Sequence, residues 1–122
     1  MGKAIAKHQA EQGYQVLLIE IDPRQRETAQ RELKEFNITV SSTYPELETR
    51  DFIIEAVFED LNLKKEVLRK ASGVARNETI IATNTSSLQV KDMIDELANP
   101  SRFLGVHYNN PADFNPIVEI IE

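Results

Sequence analysis

The stretch DFIIEAVFEDLNLKKEVLRKASGVARNETIIAT, residues 51–83, decides the fold. It opens with an apolar run at 51–58, which is typical of a strand buried on both faces of a parallel sheet. Asp60 has the side chain to cap a following helix, and Gly73 is placed to end it. A second apolar run, at 79–83, predicts the next strand. Strand, long helix and strand together predict a right-handed parallel unit of an α/β sheet.

The same alternation continues on both sides of this stretch. We expect a single domain, 1–122, built as a mostly parallel, doubly wound α/β sheet with helices on both faces. The further predicted elements are a helix at 2–12 ended by Gly13, a buried strand at 14–21, a helix from Pro23 to about Phe36, a strand at 38–41, a loop or single turn at 44–49, a helix at about 90–97, and strands at 103–108 and 117–121.

The composition of the 122-residue chain narrows its partners and location. Its net charge of −6 gives no electrostatic reason to expect nucleic acid or an anionic membrane as a partner. There is no cysteine, which excludes disulfides and thiolate metal sites, and no ligand cluster points to a metal. With no visible signal peptide and no apolar run that spans a bilayer, we expect a soluble cytoplasmic protein, with an organelle matrix as the alternative location.

Two residues near the start match part of a dinucleotide-binding pattern. That pattern has a strand, G-x-G-x-x-G, a helix, and a strand that ends in an acidic residue. Gly2 has the place of the third glycine, and Glu20 ends the following strand. A carboxylate there accepts bonds from ribose hydroxyls and repels a 2′-phosphate, which favours NAD over NADP. Arg24 and Arg26 argue for NADP instead, because arginines after this strand can bind the 2′-phosphate. Glu20 could also be a solvated acidic residue at a strand end with no role in binding.

The first strand of that pattern and its first two glycines are not in the sequence. In the usual strand order the absent strand is central, so the strands at 14–21 and 51–57 cannot both be paired as in a complete sheet. Unpaired backbone groups are costly when buried. We therefore expect a Rossmann-like sheet with its first strand missing, in a chain that is a fragment, has a truncated start, or borrows a strand from a partner.

Ser86, His107 and Glu119 stand at or near the ends of strand-like segments, where an open α/β sheet collects its ligands. Glu119 interrupts the apolar run at 117–121 and needs a partner if it is buried. If the last strand runs back beside the strand at 103–108, Glu119 can orient His107 and raise its basicity. The trio predicts a proton-transfer site. Ser86 also suits a helix N-cap, and a lone histidine is often a structural residue.

Six short motifs are spread over nearly the whole chain. They are Met1-Gly2-x-x-Ile5-Ala6, Gly13-Tyr14-x-Val16, Glu55-Ala56-Val57-x-Glu59-Asp60 with Lys64, Asn84-Thr85-Ser86-Ser87-Leu88, Arg102-Phe103-x-Gly105-x-His107-x-x-Asn110-Pro111, and Val118-Glu119-Ile120-Ile121. In this order and spacing they resemble the NAD-binding domain of L-3-hydroxyacyl-CoA dehydrogenases, oxidoreductases of fatty acid metabolism.

The resemblance implies hydride transfer between NAD and the C3 hydroxyl or keto group of an acyl-CoA. His107 is then the catalytic base, Glu119 its carboxylate partner, and Ser86 the hydroxyl that contacts the substrate. The resemblance places Glu59 and Lys64 on the nicotinamide side of the cofactor.

Two asparagines complete the implied site. Asn84 fixes the turn after its strand or touches the nicotinamide ribose, and Asn110 contacts the substrate. Lys64 also has an alternative to a cofactor role. Asp60 and Lys64 can form an i,i+4 pair on a solvent-exposed helix surface.

The chain also departs from the family pattern. Glu20 stands where the family usually has aspartate, Asn109 replaces a common aromatic residue, and the loop 111–116 is less apolar than usual. A small non-CoA hydroxy acid is therefore an open alternative substrate, and a non-catalytic truncated nucleotide-binding module is a second alternative. Family members dimerise through a C-terminal helical domain that completes the cleft. Because 1–122 lacks that domain, we expect the isolated chain to be inactive, with strand borrowing or self-association as alternatives.

Overall fold

The computed structural model describes residues 2–85, 90–108 and 118–121, with the backbone alone at 108 and 118–121. The helices are α1 (Gly2–Glu11), α2 (Pro23–Glu32) and α3 (Leu61–Val74). The strands are β1 (Val16–Ile19), β2 (Ile38–Ser41), β3 (Phe52–Glu55), β4 (Ile80–Asn84), β5 (Phe103–Tyr108) and β6 (Val118–Ile121). Short 3₁₀ turns lie at Pro45–Thr49, Val90–Asp92, Ile94–Glu96 and Pro100–Arg102.

The described residues form two compact units, 2–43 and a second unit of 44–85, 90–108 and 118–121. In the first unit β1 and β2 form a parallel pair. In the second unit the strand order is β3-β4-β5-β6, with the first three strands parallel and β6 antiparallel to β5. The predicted α/β alternation with parallel strands is confirmed, and so is the return of the last strand beside β5.

The strands predicted at 14–21 and 51–57 lie in separate sheets. Among the described residues β1 pairs only with β2, and β3 pairs only with β4. This agrees with the expectation that these two strands are not paired as in a complete sheet. The prediction that the strand at 14–21 is buried was wrong. Residues 16–19 are half-buried, because β1 has a partner along one edge only among the described strands. Tyr14 and Ile21, on either side of it, are 63% and 64% exposed.

Helix α1 ends as predicted at Gly13. This residue has φ 97°, a left-handed conformation that glycine adopts without steric cost. Its N–H donates to the carbonyl of Ala10 at 3.0 Å, and the N–H of Tyr14 donates to the carbonyl of Gln9 at 3.3 Å. These two bonds form a Schellman motif, which satisfies carbonyls at the end of the helix.

Helix α2 begins as predicted but ends four residues early. Asp22 caps it by accepting from the N–H of Arg24 at 2.9 Å. The helix stops at Glu32 instead of Phe36. The N–H of Phe36 donates to the carbonyl of Leu33 at 3.0 Å, a tighter i−3 bond. This turn redirects the chain into β2.

Helix α3 is capped by Asp60, whose carboxylate accepts from the N–H of Leu63 at 3.0 Å. The prediction that Gly73 ends the helix was wrong. Gly73 has no positive φ, and α3 continues to Val74 because the N–H of Ala75 still donates to the carbonyl of Ala71 at 2.9 Å. Its buried face consists of Lys64, Leu68, Ala71 and Ser72.

The α-helix predicted at about 90–97 is absent, and two 3₁₀ turns stand there. The N–H of Met93 donates to Val90 at 3.0 Å, and the N–H of Glu96 donates to Met93 at 3.1 Å, both i−3 bonds. A segment this short that carries two aspartates has little intrinsic helical stability. Burial of Met93 and Leu97 fixes its path instead. No helix in the described part of the chain has the length and apolar character needed to cross a membrane.

Candidate functional site

The carboxyl ends of β3, β4 and β5 meet at one edge of the second sheet. Glu55 is opposite Thr83, and Thr83 is opposite Gly105. One residue further along, Asn84 is opposite Val106. Parallel register therefore brings the last residues of β3 and β4 beside the second half of β5. This edge is where open α/β sheets bind their ligands.

Lys64, on the first turns of α3, is completely buried beneath this edge. Its Nζ donates to Glu55 Oε2 at 2.8 Å, to the carbonyl of Asn84 at 2.9 Å and to the carbonyl of Val57 at 3.2 Å. The alternative of a solvated Asp60–Lys64 surface pair is therefore wrong. The reason is that the apolar face of α3 carries Lys64 inward, while Asp60 caps the helix.

Glu55, the last residue of β3, is the counter-ion of Lys64 and is also buried. Besides Lys64, its Oε2 accepts from the N–H of Val57 at 2.8 Å. Its Oε1 accepts from the hydroxyl of Thr83. The carboxylate thus has a donor on each oxygen, as a buried charge requires.

Glu59, in the segment between β3 and α3, lies beside the same ammonium group. Its Oε1 is 3.6 Å from Lys64 Nζ and accepts from the hydroxyl of Thr85 at 2.9 Å. Thr85 is buried, whereas the Glu59 side chain is 32% exposed. The structure therefore brings the predicted residues Glu59, Lys64 and Asn84 together.

His107, near the end of β5, is half-buried. The antiparallel register places it opposite Glu119 of β6. The backbone relationship needed for a histidine–carboxylate dyad is therefore present, and the dyad itself stays a prediction. Ser86 and Asn110 lie outside the described residues.

Glu20 directly follows β1 in the first unit and is half-buried. Its N–H donates to the carbonyl of Ser41 at 2.9 Å, which extends the pairing of β1 with β2. Arg26 Nη1 donates to the carbonyl of Glu20 at 3.2 Å, so this guanidinium contacts the main chain next to the carboxylate. A carboxylate supplies only acceptors, which suits the vicinal hydroxyls of a ribose and not a phosphate.

Gly2 is the first residue of α1. A Cβ built on it would lie 4.0 Å from Leu18 Cδ1, an ordinary van der Waals distance. Contact with β1 therefore does not itself require glycine at this position.

Glu55 and Thr83 belong to the site but were not predicted from the sequence, although Glu55 is part of a family motif. Glu55, like Glu119, is a carboxylate within an apolar run, and such a group needs a partner when buried. The sequence pattern that indicated Glu119 could therefore have indicated Glu55 as well. Thr83 carries no comparable signal, since threonine is common in strands. No group of three or more His, Cys, Asp or Glu side chains suited to a metal ion occurs in the described ranges. That the reaction needs no metal stays a prediction.

Comparisons with known proteins agree on one family. Residues 35–122 match the family described as 3-hydroxyacyl-CoA dehydrogenase, NAD binding domain. The peroxisomal bifunctional enzyme of Cavia porcellus is 34% identical over 99% of this chain, which spans 19% of that protein.

Solved structures give the same result. A 3-hydroxyacyl-CoA dehydrogenase from Archaeoglobus fulgidus is 37% identical with a TM-score of 0.87, over 98% of this chain and 43% of the other. A diketoreductase, described as acting on dicarbonyl compounds, is 26% identical with a TM-score of 0.88, over 97% of this chain and 50% of the other. These similarities confirm the predicted Rossmann-like fold. The chain spans half or less of each of these proteins.

Proposed function

The chain belongs to the 3-hydroxyacyl-CoA dehydrogenase family, within its NAD-binding domain, and we propose that the whole protein oxidises and reduces C3 of an acyl-CoA. NAD is the cofactor of this domain. The observation that carries the proposed chemistry is the register that places His107 opposite Glu119.

We propose His107 as the base that takes the proton from the C3 hydroxyl group in the oxidative direction. In reduction the same imidazolium returns the proton to the oxygen. NAD, when bound, accepts or returns the hydride. Residues directly opposite on antiparallel strands have Cβ atoms about 4.5–5.5 Å apart on one face of the sheet. A carboxylate at Glu119 is then within reach of the imidazole and stabilises its protonated form.

Ser86 and Asn110 are proposed as substrate contacts. The support is the family resemblance of the motifs that contain them and their sequence positions, shortly after β4 and β5. A serine hydroxyl can donate to the substrate oxygen in both its alkoxide-like and its carbonyl states. Ser86 would therefore steady the reacting oxygen while His107 exchanges the proton.

The cofactor contacts are proposed for two separate groups of residues. Glu20 would accept from the adenosine ribose hydroxyls. Gly2 would lie at the N-terminus of α1, where backbone N–H groups can bind phosphates. On the nicotinamide side we propose Glu59 and Asn84, together with Lys64. The support is that Lys64 donates to the carbonyl of Asn84 and lies 3.6 Å from Glu59 Oε1, at the edge where β3 and β4 end.

A dicarbonyl or small hydroxy-acid substrate is the second candidate. The favouring observation is the similarity to the diketoreductase, which has nearly the same TM-score as the acyl-CoA relative. Sequence identity favours the acyl-CoA substrate, 37% against 26%. Dimerisation, self-association and a cytoplasmic location stay predictions.

The test is NADH oxidation by the full-length natural protein with acetoacetyl-CoA, run beside free acetoacetate at the same concentration. We expect turnover that depends on the thioester. Activity on acetoacetate alone would favour the small hydroxy acid. Binding of NADH without turnover of either compound would favour the non-catalytic module.

A further inference from the structure

A buried charged pair lies beneath the candidate site and takes no part in the proposed proton transfer. The side chains of Glu55 and Lys64 are each 1% exposed, and their charged atoms are 2.8 Å apart. Removing two charges from water is unfavourable unless close geometry and further hydrogen bonds compensate. The further bonds of this pair show which parts of the site it holds.

The ammonium group of Lys64 is held in place by acceptors of the protein. An ammonium has three N–H donors. In this structure they are matched by three protein acceptors, Glu55 Oε2 and the carbonyls of Val57 and Asn84. Glu55 supplies the one charged acceptor of these three, so it determines where the ammonium of Lys64 lies.

The same three bonds tie together two strand ends. Val57 follows β3 by two residues, and Asn84 is the last residue of β4. Lys64 also lies 3.6 Å from Glu59 Oε1, which accepts from Thr85. One buried ammonium therefore fixes the main chain at Asn84 and the carboxylate of Glu59.

From these contacts we infer that Glu55 is a positioning residue for NAD. It acts through Lys64, Glu59 and Asn84, and Thr83 holds its second oxygen in place. The inference rests on the proposed function, because Lys64, Glu59 and Asn84 are the proposed cofactor contacts. Glu55 itself is buried, and we expect its replacement to have a measurable effect on NADH affinity.

The experiment is a double-mutant cycle on NADH affinity in the full-length protein, with the variants Glu55→Gln, Lys64→Met and the two combined. NADH dissociation constants are measured by fluorescence titration without substrate, and thermal unfolding by circular dichroism. We expect Glu55→Gln to weaken NADH binding about tenfold, the scale found for residues that act through neighbours. Lys64→Met should weaken it to a similar extent, and the double variant should be no weaker than Lys64→Met, because residues of one network are not additive.

The KM-against-kcat split provides a readout that a general loss of folding would not give. At saturating NADH, kcat of Glu55→Gln should stay within about threefold of wild type, because His107 is not part of the pair's bonds. An NADH affinity unchanged in Glu55→Gln but weakened in Lys64→Met would overturn the inference. That result would make Lys64 a direct contact that does not depend on Glu55.

Helix α3 offers a matched control in its exposed i,i+4 pair Glu66–Lys70, with atoms 3.1 Å apart. Glu66→Gln with Lys70→Met should leave NADH affinity unchanged. If Lys64→Met does not fold, Thr83→Val tests the same buried pair. We expect Thr83→Val to weaken NADH binding and Thr83→Ser, which keeps the hydroxyl, to restore it. Wild type that fails to bind NADH contradicts the proposed function itself. Wild-type binding with unaffected Glu55→Gln and Thr83→Val contradicts only the inference.

Discussion

His107 and Glu119 are cross-strand partners, directly opposite each other where β6 runs antiparallel to β5. The neighbouring strands β3, β4 and β5 are parallel, so their residues pair in a different, slanted pattern. The antiparallel return of β6 is what brings a residue twelve positions later in the chain next to His107. A pairing shifted by one residue would place the residue at 119 on the other face of the sheet.

The register makes Glu119 the residue to change without disturbing the imidazole itself. In Glu119→Gln the side chain keeps its size but cannot stabilise an imidazolium by charge. We expect kcat to fall by about 10²-fold or more, the scale of general base catalysis. Steady-state kinetics with acetoacetyl-CoA would measure this, with NADH affinity as the control that should not change. A kcat close to wild type would mean that the two residues do not act together.

Glu20 should set the preference for NAD. Removing its charge in Glu20→Gln removes the repulsion of a 2′-phosphate, and like charges brought together cost several kcal/mol. We expect the ratio of kcat/KM for NADH over NADPH to fall by about tenfold or more. Glu27→Gln, an exposed change on α2, is the control and should leave the ratio as it is. If both variants keep the wild-type ratio, Glu20 is only a solvated strand end.

Asp60 should stabilise the first turn of α3 through its bond to the N–H of Leu63. Asp60→Ala removes the acceptor and should cost about 1 kcal/mol of helix stability. Asp60→Asn keeps an oxygen in the same place and should retain most of it. Amide hydrogen exchange at Leu63 measures the local effect. Equal protection in both variants would show that the cap contributes little.

Tyr44 should make stability depend on pH in the alkaline range. Burial raises the pKa of its phenol above the usual 10.0; nearby Glu66 adds to this and Lys70 opposes it. Since the folded-state pKa is the higher one, the folded protein binds more protons above pH 10, and its stability falls as pH rises through the folded pKa. Between about pH 9 and pH 11 the unfolding free energy of Tyr44→Phe should fall less than that of wild type. Parallel curves from urea unfolding would contradict this.

The sequence predicted the order of strands and helices because their apolar runs and caps are local features. Asp22, Asp60 and Gly13 each act within one turn of chain, and each is where it was expected. The errors lie where tertiary contacts decide. Burial of Met93 and Leu97, and not helical propensity, sets the path at 90–97.

The sequence predicted which residues form the site better than it predicted the hydrogen bonds and ion pairs between them. The resemblance grouped Glu59, Lys64 and Asn84, and the structure brings them together. That Lys64 is buried and bonded to Glu55 could not be derived from spacing, because i,i+4 with Asp60 suggested a surface pair equally well. Only the packing of α3 beneath β3 and β4 distinguishes the two arrangements.

The most direct test of the proposed mechanism is His107→Gln in the full-length protein, with kcat and NADH affinity measured on the same preparation. We predict that kcat with acetoacetyl-CoA falls by about 10²–10⁴-fold, the range for loss of a general base, while NADH binds as in wild type. A kcat that hardly changes would make His107 a structural residue and would rule out the proposed mechanism.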